Sequence, residues 1–159
     1  MYEYNNNCSD GVIDYGMEPF VTELRRQSLR NTNFRTTLWT GSHLQLTVMS
    51  LNGGEDIGLE VHPRVDQVLY ITEGRGLTEM GSIRNDLRMR RPVQAGDAVF
   101  VPAGTWHNIT NLSRRPLKLF TVYAPPNHPH GTVHKTKEDA ERDEGHHLDF
   151  YGPKMRNPM

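Results

Sequence analysis

The sequence holds a single cysteine, Cys8, among its 159 residues. One thiol cannot close an internal disulfide, so no oxidising compartment is required. No apolar run approaches the roughly 20 residues that span a bilayer. The start, MYEYNNNCSD, has no charged segment ahead of an apolar core and does not read as a signal peptide. An excess of one charge is missing too: 18 Lys and Arg stand against 19 Asp and Glu, a formal net charge of -1. That balance offers nucleic acid no basic face. The densest basic cluster, RMRRP (Arg88 to Pro92), reads as a solvated loop. These absences lead to the expectation of a cytoplasmic protein with neither a nucleic-acid nor a membrane partner.

What is present is patterned for β-structure. At 159 residues the default is one domain, large enough to bury about 70% of the surface its unfolded chain exposes. Residues 1–32 read as a polar N-terminal arm, with a short helix or turn within Glu18 to Asn31. From 33 to 125 the period changes. LQLTVMSL sets Leu44, Leu46 and Val48 on one side of a strand and Gln45, Thr47 and Met49 on the other. IGLEVH, QVLYIT, RGLTEM, DAVFVP, WHNITN and LKLFTVYA follow as short strands divided by Gly, Pro and Asn-Asp turn signals. Short strands at that spacing predict an all-β sandwich or barrel. Residues 126–159 read as a C-terminal segment with a short helix and a loose tail. Thr136 caps that helix, Asp139 completes the capping box and Gly145 ends it.

Chemistry concentrates in EVHPRVDQVL (Glu60 to Leu69). Glu60 and His62 stand two apart, so as strand residues they share a face. If the next strand returns as a hairpin, Gln67 comes back beside His62. Downstream, Pro102 and Gly104 form a sharp turn and His107 opens another strand.

These residues carry a resemblance. Gly96-x5-Pro102-x-Gly104-x2-His107-x3-Asn111 matches the second motif of the cupins at every fixed position. Gly54-x5-Glu60-x-His62-x4-Gln67-x6-Gly74 keeps the spacing of the first motif with two ligand identities changed. Over about residues 43 to 123 the chain is similar to small single-domain cupins of the mannose-6-phosphate-isomerase-like kind. The resemblance implies an antiparallel cupin (jelly-roll) β-barrel whose mouth holds one divalent metal ion and a small-molecule ligand. It places Glu60 at the first histidine, His62 at the second, Gln67 at the glutamate and His107 at the last histidine. The charge of the set is kept while one imidazole gives way to an amide oxygen. Fewer imidazoles and more oxygen favour Zn, Mn or Fe over Cu and Ni. Gln67 has three readings: direct ligation, a bond through water, or a hydrogen bond to Glu60. His62 and His107 have the alternative of ordinary pocket histidines. The glycines and Pro102 are turn residues, and Asn111 bonds to backbone.

Substrate-pocket candidates are Tyr70, Trp106, Phe120, Tyr123, Arg35 and His134, with Arg64 a second cation for an anionic substrate. The run NHPHGTVH, with His128, His130 and His134, reads either as a second metal site or as a segment folded over the barrel mouth. The expected function is metal-dependent catalysis of isomerase type on a sugar or sugar-phosphate-like molecule, with Glu60 as ligand or general base. A binding or sensing module and a non-haem iron dioxygenase are the alternatives. A homodimer is expected, because a lone small barrel must protect its edge strands.

Overall fold

Glycine corners divide the patterned strands between two sheets. The computed structural model describes residues 14–147. Helix α1 (Leu24–Arg30) is followed by β1 (Arg35–Thr40), β2 (Gln45–Leu51), β3 (Asp66–Glu73), β4 (Arg75–Gly81), β5 (Met89–Gln94), β6 (Ala98–Val101), β7 (Trp106–Asn111), β8 (Leu117–Ala124), β9 (Val133–His134) and helix α2 (Lys137–His147). The larger sheet has the order β6-β3-β8-β2-β1-β9 and the smaller β5-β4-β7. All the strand pairs are antiparallel. Gly74, at φ +97°, turns the chain from β3 in one sheet to β4 in the other, a conformation that L side chains rarely adopt.

Apolar residues from both sheets meet in one cluster. Leu51, Leu69, Ile71, Leu117 and Leu119 come from the larger sheet, Val93 and Ile109 from the smaller. Each such side chain contributes about 1.5–3 kcal/mol on burial. The inner rows change character along the strands. β8 runs from Leu117 and Leu119 to Thr121 and Tyr123; β2 runs back from Leu51 and Met49 to Thr47 and Gln45. All are buried. The barrel is therefore greasy at one end and polar at the other. Gln45 and Thr47 share the inner face with Met49, while Leu44 precedes β2 and is exposed.

Four expectations change here. RMRRP is not a loop: Met89 to Gln94 forms edge strand β5 on β4, and its side chains are solvated as expected. An edge strand that meets water tolerates Pro92 and arginines. IGLEVH forms no strand, only the isolated bridge Glu60–His107, with a second, Asp56–Thr110, just before it. Gly58, at φ +89°, interrupts it. The last helix passes Gly145 and runs to His147. Its start is as expected: Thr136 N–H donates to Asp139 Oδ2 at 3.0 Å and Asp139 N–H to Thr136 Oγ1 at 3.2 Å. β9 joins β1 in the larger sheet, so that sheet continues past residue 125. Helix α1 caps the outside, with Ser28 buried and bonded to Thr72 at 2.6 Å. The expected loose tail and the loose stretch around Cys8 lie outside the described residues. No described helix is long and apolar enough to cross a membrane.

Candidate metal centre

The two halves of the site come from different sheets rather than from one hairpin. Glu60 pairs with His107 on β7: Glu60 N–H donates to His107 O at 3.1 Å and His107 N–H to Glu60 O at 2.9 Å. Residues that exchange both bonds project their side chains to the same face. Gln67 stands on β3, between Val101 of β6 and Tyr123 of β8. The link PRVD thus crosses the barrel mouth instead of closing a tight return. The turn before β7 sets His107: Gly104, at φ +81°, donates its N–H to His62 O at 2.9 Å, and Thr105 N–H reaches Pro102 O at 3.1 Å. A backbone bond therefore joins the two motifs.

Glu60 Oε1 lies 3.3 Å from His62 Nε2 and 3.4 Å from His107 Nε2. One donor atom from each of the three residues falls within 4.8 Å of the others, and no other such group occurs among the described residues. Two ligands held at about 2.1 Å on one tetrahedral ion stand about 3.4 Å apart. The two carboxylate-to-imidazole spacings are compatible with ligands of one ion.

The protonation pattern agrees. His107 is 1% exposed, and its Nδ1–H donates to the Thr105 carbonyl at 2.9 Å. A carbonyl only accepts, so the neutral ring carries its lone pair on Nε2. That lone pair faces the Glu60 carboxylate. Among the described residues, His107 Nε2, His62 Nε2 and Gln67 Oε1 are buried without a hydrogen-bond partner. Gln67 spends its amide hydrogen on Thr121 Oγ1 at 2.9 Å, which orients the oxygen away from that neighbour. Buried acceptors without partners are expensive, and a shared cation satisfies all of them. Burial opposes ionisation of Glu60, yet ring protons of His107 and His62 shared with it, and the charge of Arg35, hold its carboxyl well below the usual carboxylate range, and a metal ion would stand in for those ring protons. The residues present fit a divalent ion held by Glu60, His62 and His107, with the Gln67 oxygen as a further donor.

Of the pocket candidates, three gather at this end. Tyr123 stands edge-on to His62 with ring centroids 5.8 Å apart. Arg35 and His134 are cross-strand partners whose side chains meet, Nη1 to Nδ1 at 3.3 Å. Burial pushes the Tyr123 hydroxyl up to about 12, with the Glu60 charge adding to it and Arg35 opposing. Alternation takes the others away. Tyr70 and Phe120 stack on each other at 5.0 Å on the face of β3 and β8 opposite Gln67 and Tyr123. Trp106 precedes the inward His107 and lies under Arg84 instead. Arg64 is exposed in the PRVD link. His128, His130 and His134 do not converge. His130 bonds Gly16 O at 3.0 Å, whereas His128 reaches Tyr123 OH at 3.4 Å. Burial first, then the Arg35 charge, holds His128 well below its ordinary value, so its ring is neutral. Asn111 donates to the carbonyls of Leu51, Asn52 and Arg115, the backbone-bonding role expected of it.

Gln45 and Glu144 are additions to the sequence-derived site. Gln45 donates to His128 O at 2.7 Å and accepts from Asn127 N–H and His128 N–H at 3.1 and 2.9 Å. Its only sequence signal was its phase with Thr47 and Met49. Glu144, on α2, comes within 3.8 Å of Arg35; nothing local marks it.

Comparison with known proteins agrees with the motif and the barrel. A family model described as Cupin domain matches residues 47–123. Uncharacterized protein YrkC of Bacillus subtilis (strain 168) is 57% identical over 127 residues, 80% of this chain and 68% of that protein. Uncharacterized protein L612 of Acanthamoeba polyphaga mimivirus is 36% identical over 123 residues, 77% of this chain and 75% of that one. The crystal structure of BH2720 from Bacillus halodurans matches with a TM-score of 0.80 at 53% identity, covering 81% of this chain and 98% of that chain.

Proposed function

Because the chain belongs to the cupin family, as a small single-domain cupin, we propose that it is a metal-dependent enzyme of isomerase type acting on a small polar molecule. The observation that carries this reading is the bare Nε2 of His107, buried and aimed at a carboxylate 3.4 Å away. Glu60, His62 and His107 would hold the ion, with Gln67 Oε1 as fourth donor. A divalent metal there supplies a Lewis acid that polarises a carbonyl or hydroxyl oxygen.

The chain's own groups do the rest. Glu60 stays ionised and keeps the centre's charge low. His128, half-buried beside Tyr123 and held neutral, offers a ring nitrogen as a hydrogen-bond acceptor. Tyr123 keeps its proton and offers a donor beside His128 Nε2. The segment carrying His128 narrows the mouth and limits water. A neutral acceptor and a protonated donor side by side suit the orientation of a small hydroxyl- or carbonyl-bearing substrate. The set of two histidines and one carboxylate also suits Fe(II), and with that metal the reading shifts to oxygen chemistry.

The test begins with metal content. Gently purified protein is expected to carry about one Zn, Mn or Fe per chain by atomic spectroscopy, and His107→Ala none. Protein loaded with each metal is then assayed for isomerisation of phosphosugars and for oxygen uptake with diketones. Absence of metal from both purified and reconstituted protein sinks the metal reading. Stoichiometric metal without turnover leaves a binding module.

The same reading makes the protein a cytoplasmic homodimer. The lone cysteine supports the first part. The unpaired edges of β5 and β6 support the second, since they flank a groove of about 460 Å³ lined by Met80, Met89, Pro92 and Phe100.

A further inference from the structure

Arg35 is 1% exposed, the largest side chain so deeply buried among the described residues. A guanidinium carries five N–H donors and is always charged. Here one nitrogen, Nη1, meets His134 Nδ1 at 3.3 Å, and Nε has no hydrogen-bond partner among the described residues. The carboxylate it meets among the described residues is Glu144 Oε1, 3.8 Å from Nη1 and beyond hydrogen-bond reach. A buried cation without a bonded anion is strongly destabilising unless something completes it.

The surroundings show where completion would come from. His134 Nε2 donates to Asp143 Oδ2 at 2.8 Å. That fixes the tautomer, leaves Nδ1 as acceptor and anchors Arg35 through one nitrogen. Tyr123 also lies against the guanidinium, and Nε is the donor left unsatisfied. A run of edge-on rings leads from the metal centre to this point: His62 to Tyr123 at 5.8 Å, Tyr123 to His128 at 5.2 Å, His128 to His134 at 6.4 Å. Arg35 therefore faces the same polar half of the barrel as Glu60, His62 and His107.

We propose that Arg35, positioned by His134, is an anion subsite for a small organic acid or phosphate ester, and that Glu144 of α2 holds the place of its anionic group. The inference rests on the metal reading only for the far end of that ligand. The ligand's anionic group bonds the guanidinium and displaces the Glu144 carboxylate, while its other oxygens face Glu60, His62 and His107. Glu144 is half exposed and can move to solvent without strain on the barrel.

Calorimetric titration of the full chain, metal-loaded and EDTA-stripped, with malonate, inorganic phosphate and glucose tests this. An anion is expected to bind and glucose not. Malonate preferred over phosphate marks a carboxylate ligand; the reverse marks a phosphate ester. Arg35→Met is expected to lower anion affinity at least about tenfold. Glu144→Gln removes the competing charge and is expected to raise it about three- to fivefold. Metal content is expected to stay at the wild-type level in both variants. Anion binding to stripped protein that holds no metal when reconstituted would leave this subsite standing and remove the metal reading. The proposal is overturned if neither anion binds, if glucose binds as well as malonate, or if Glu144→Gln leaves anion affinity unchanged. If Arg35→Met does not fold, Glu144→Gln decides alone.

Discussion

Replacing Gln67 by Leu separates the direct-ligand reading from its alternatives. The two side chains are similar in volume, so the cavity changes little. In metal-free protein the substitution removes the Nε2–H bond to Thr121 Oγ1, a loss of about 1 kcal/mol. It also removes Oε1, a buried acceptor with no partner, whose desolvation costs about 1–3 kcal/mol. The metal-free variant is therefore expected to be between equally stable and about 2 kcal/mol more stable. For a chain of this size that is a rise of zero to about 8 °C in Tm. Metal reverses the order. Loss of an oxygen donor is expected to weaken binding at least about tenfold, which removes about 1.4 kcal/mol of metal-induced stabilisation. The Tm gain on adding Zn or Mn then shrinks by about 3–6 °C. Scanning calorimetry on both proteins, with EDTA and with saturating metal, reads the two effects separately. An unchanged metal-induced gain refutes direct ligation by Gln67. A metal-free variant destabilised by more than about 1 kcal/mol refutes the unpartnered oxygen itself.

Two further predictions concern other parts of the molecule. Tyr123 titrates at about 12 in the folded chain against 10.0 ordinarily, so its folded pKa is raised. Its contribution to stability is fully present below pH 10 and is lost as pH rises towards 12, on the order of 2 kcal/mol. Urea denaturation of EDTA-treated protein is expected to show a smaller alkaline loss in Tyr123→Phe, and an identical loss would contradict the burial argument. Phe100, 73% exposed on edge strand β6, is expected to lie in the dimer contact. Light scattering at micromolar concentration should find a dimer for wild type and a monomer for Phe100→Glu, and a wild-type monomer rejects the pairing.

Local features of the fold could be read from the chain; features built across it could not. Thr136 and Asp139 signalled their helix start because a capping box lies within four residues. Gly104 and His107 were legible for the same reason: turn and ligand are neighbours in sequence. The partner of Glu60 was not legible. Its bridge to His107 spans 47 positions, and the hairpin with Gln67 was the shorter path. Gly58 broke a run whose alternation suited a strand. Arg88 to Pro92 hid a strand because an edge in water has no apolar face to announce it. Tyr70 and Phe120 were drawn to the pocket as aromatics near the motif, yet period 2 from Gln67 sends Tyr70 outward. Arg35 was visible only as a cation, since its burial depends on β9 and α2, about 100 residues away.

The bonds of Gln45 have a consequence for the residues after β8. Pro125, Pro126 and Pro129 have no N–H, so the chain there cannot add rungs to a ladder. The carboxamide of Gln45 stands in for a peptide group: it gives hydrogen to one carbonyl and takes it from two amides, as a neighbouring strand would. One side chain thereby splices a proline-broken segment onto the sheet, and the position of His128 is decided by a residue 83 places earlier.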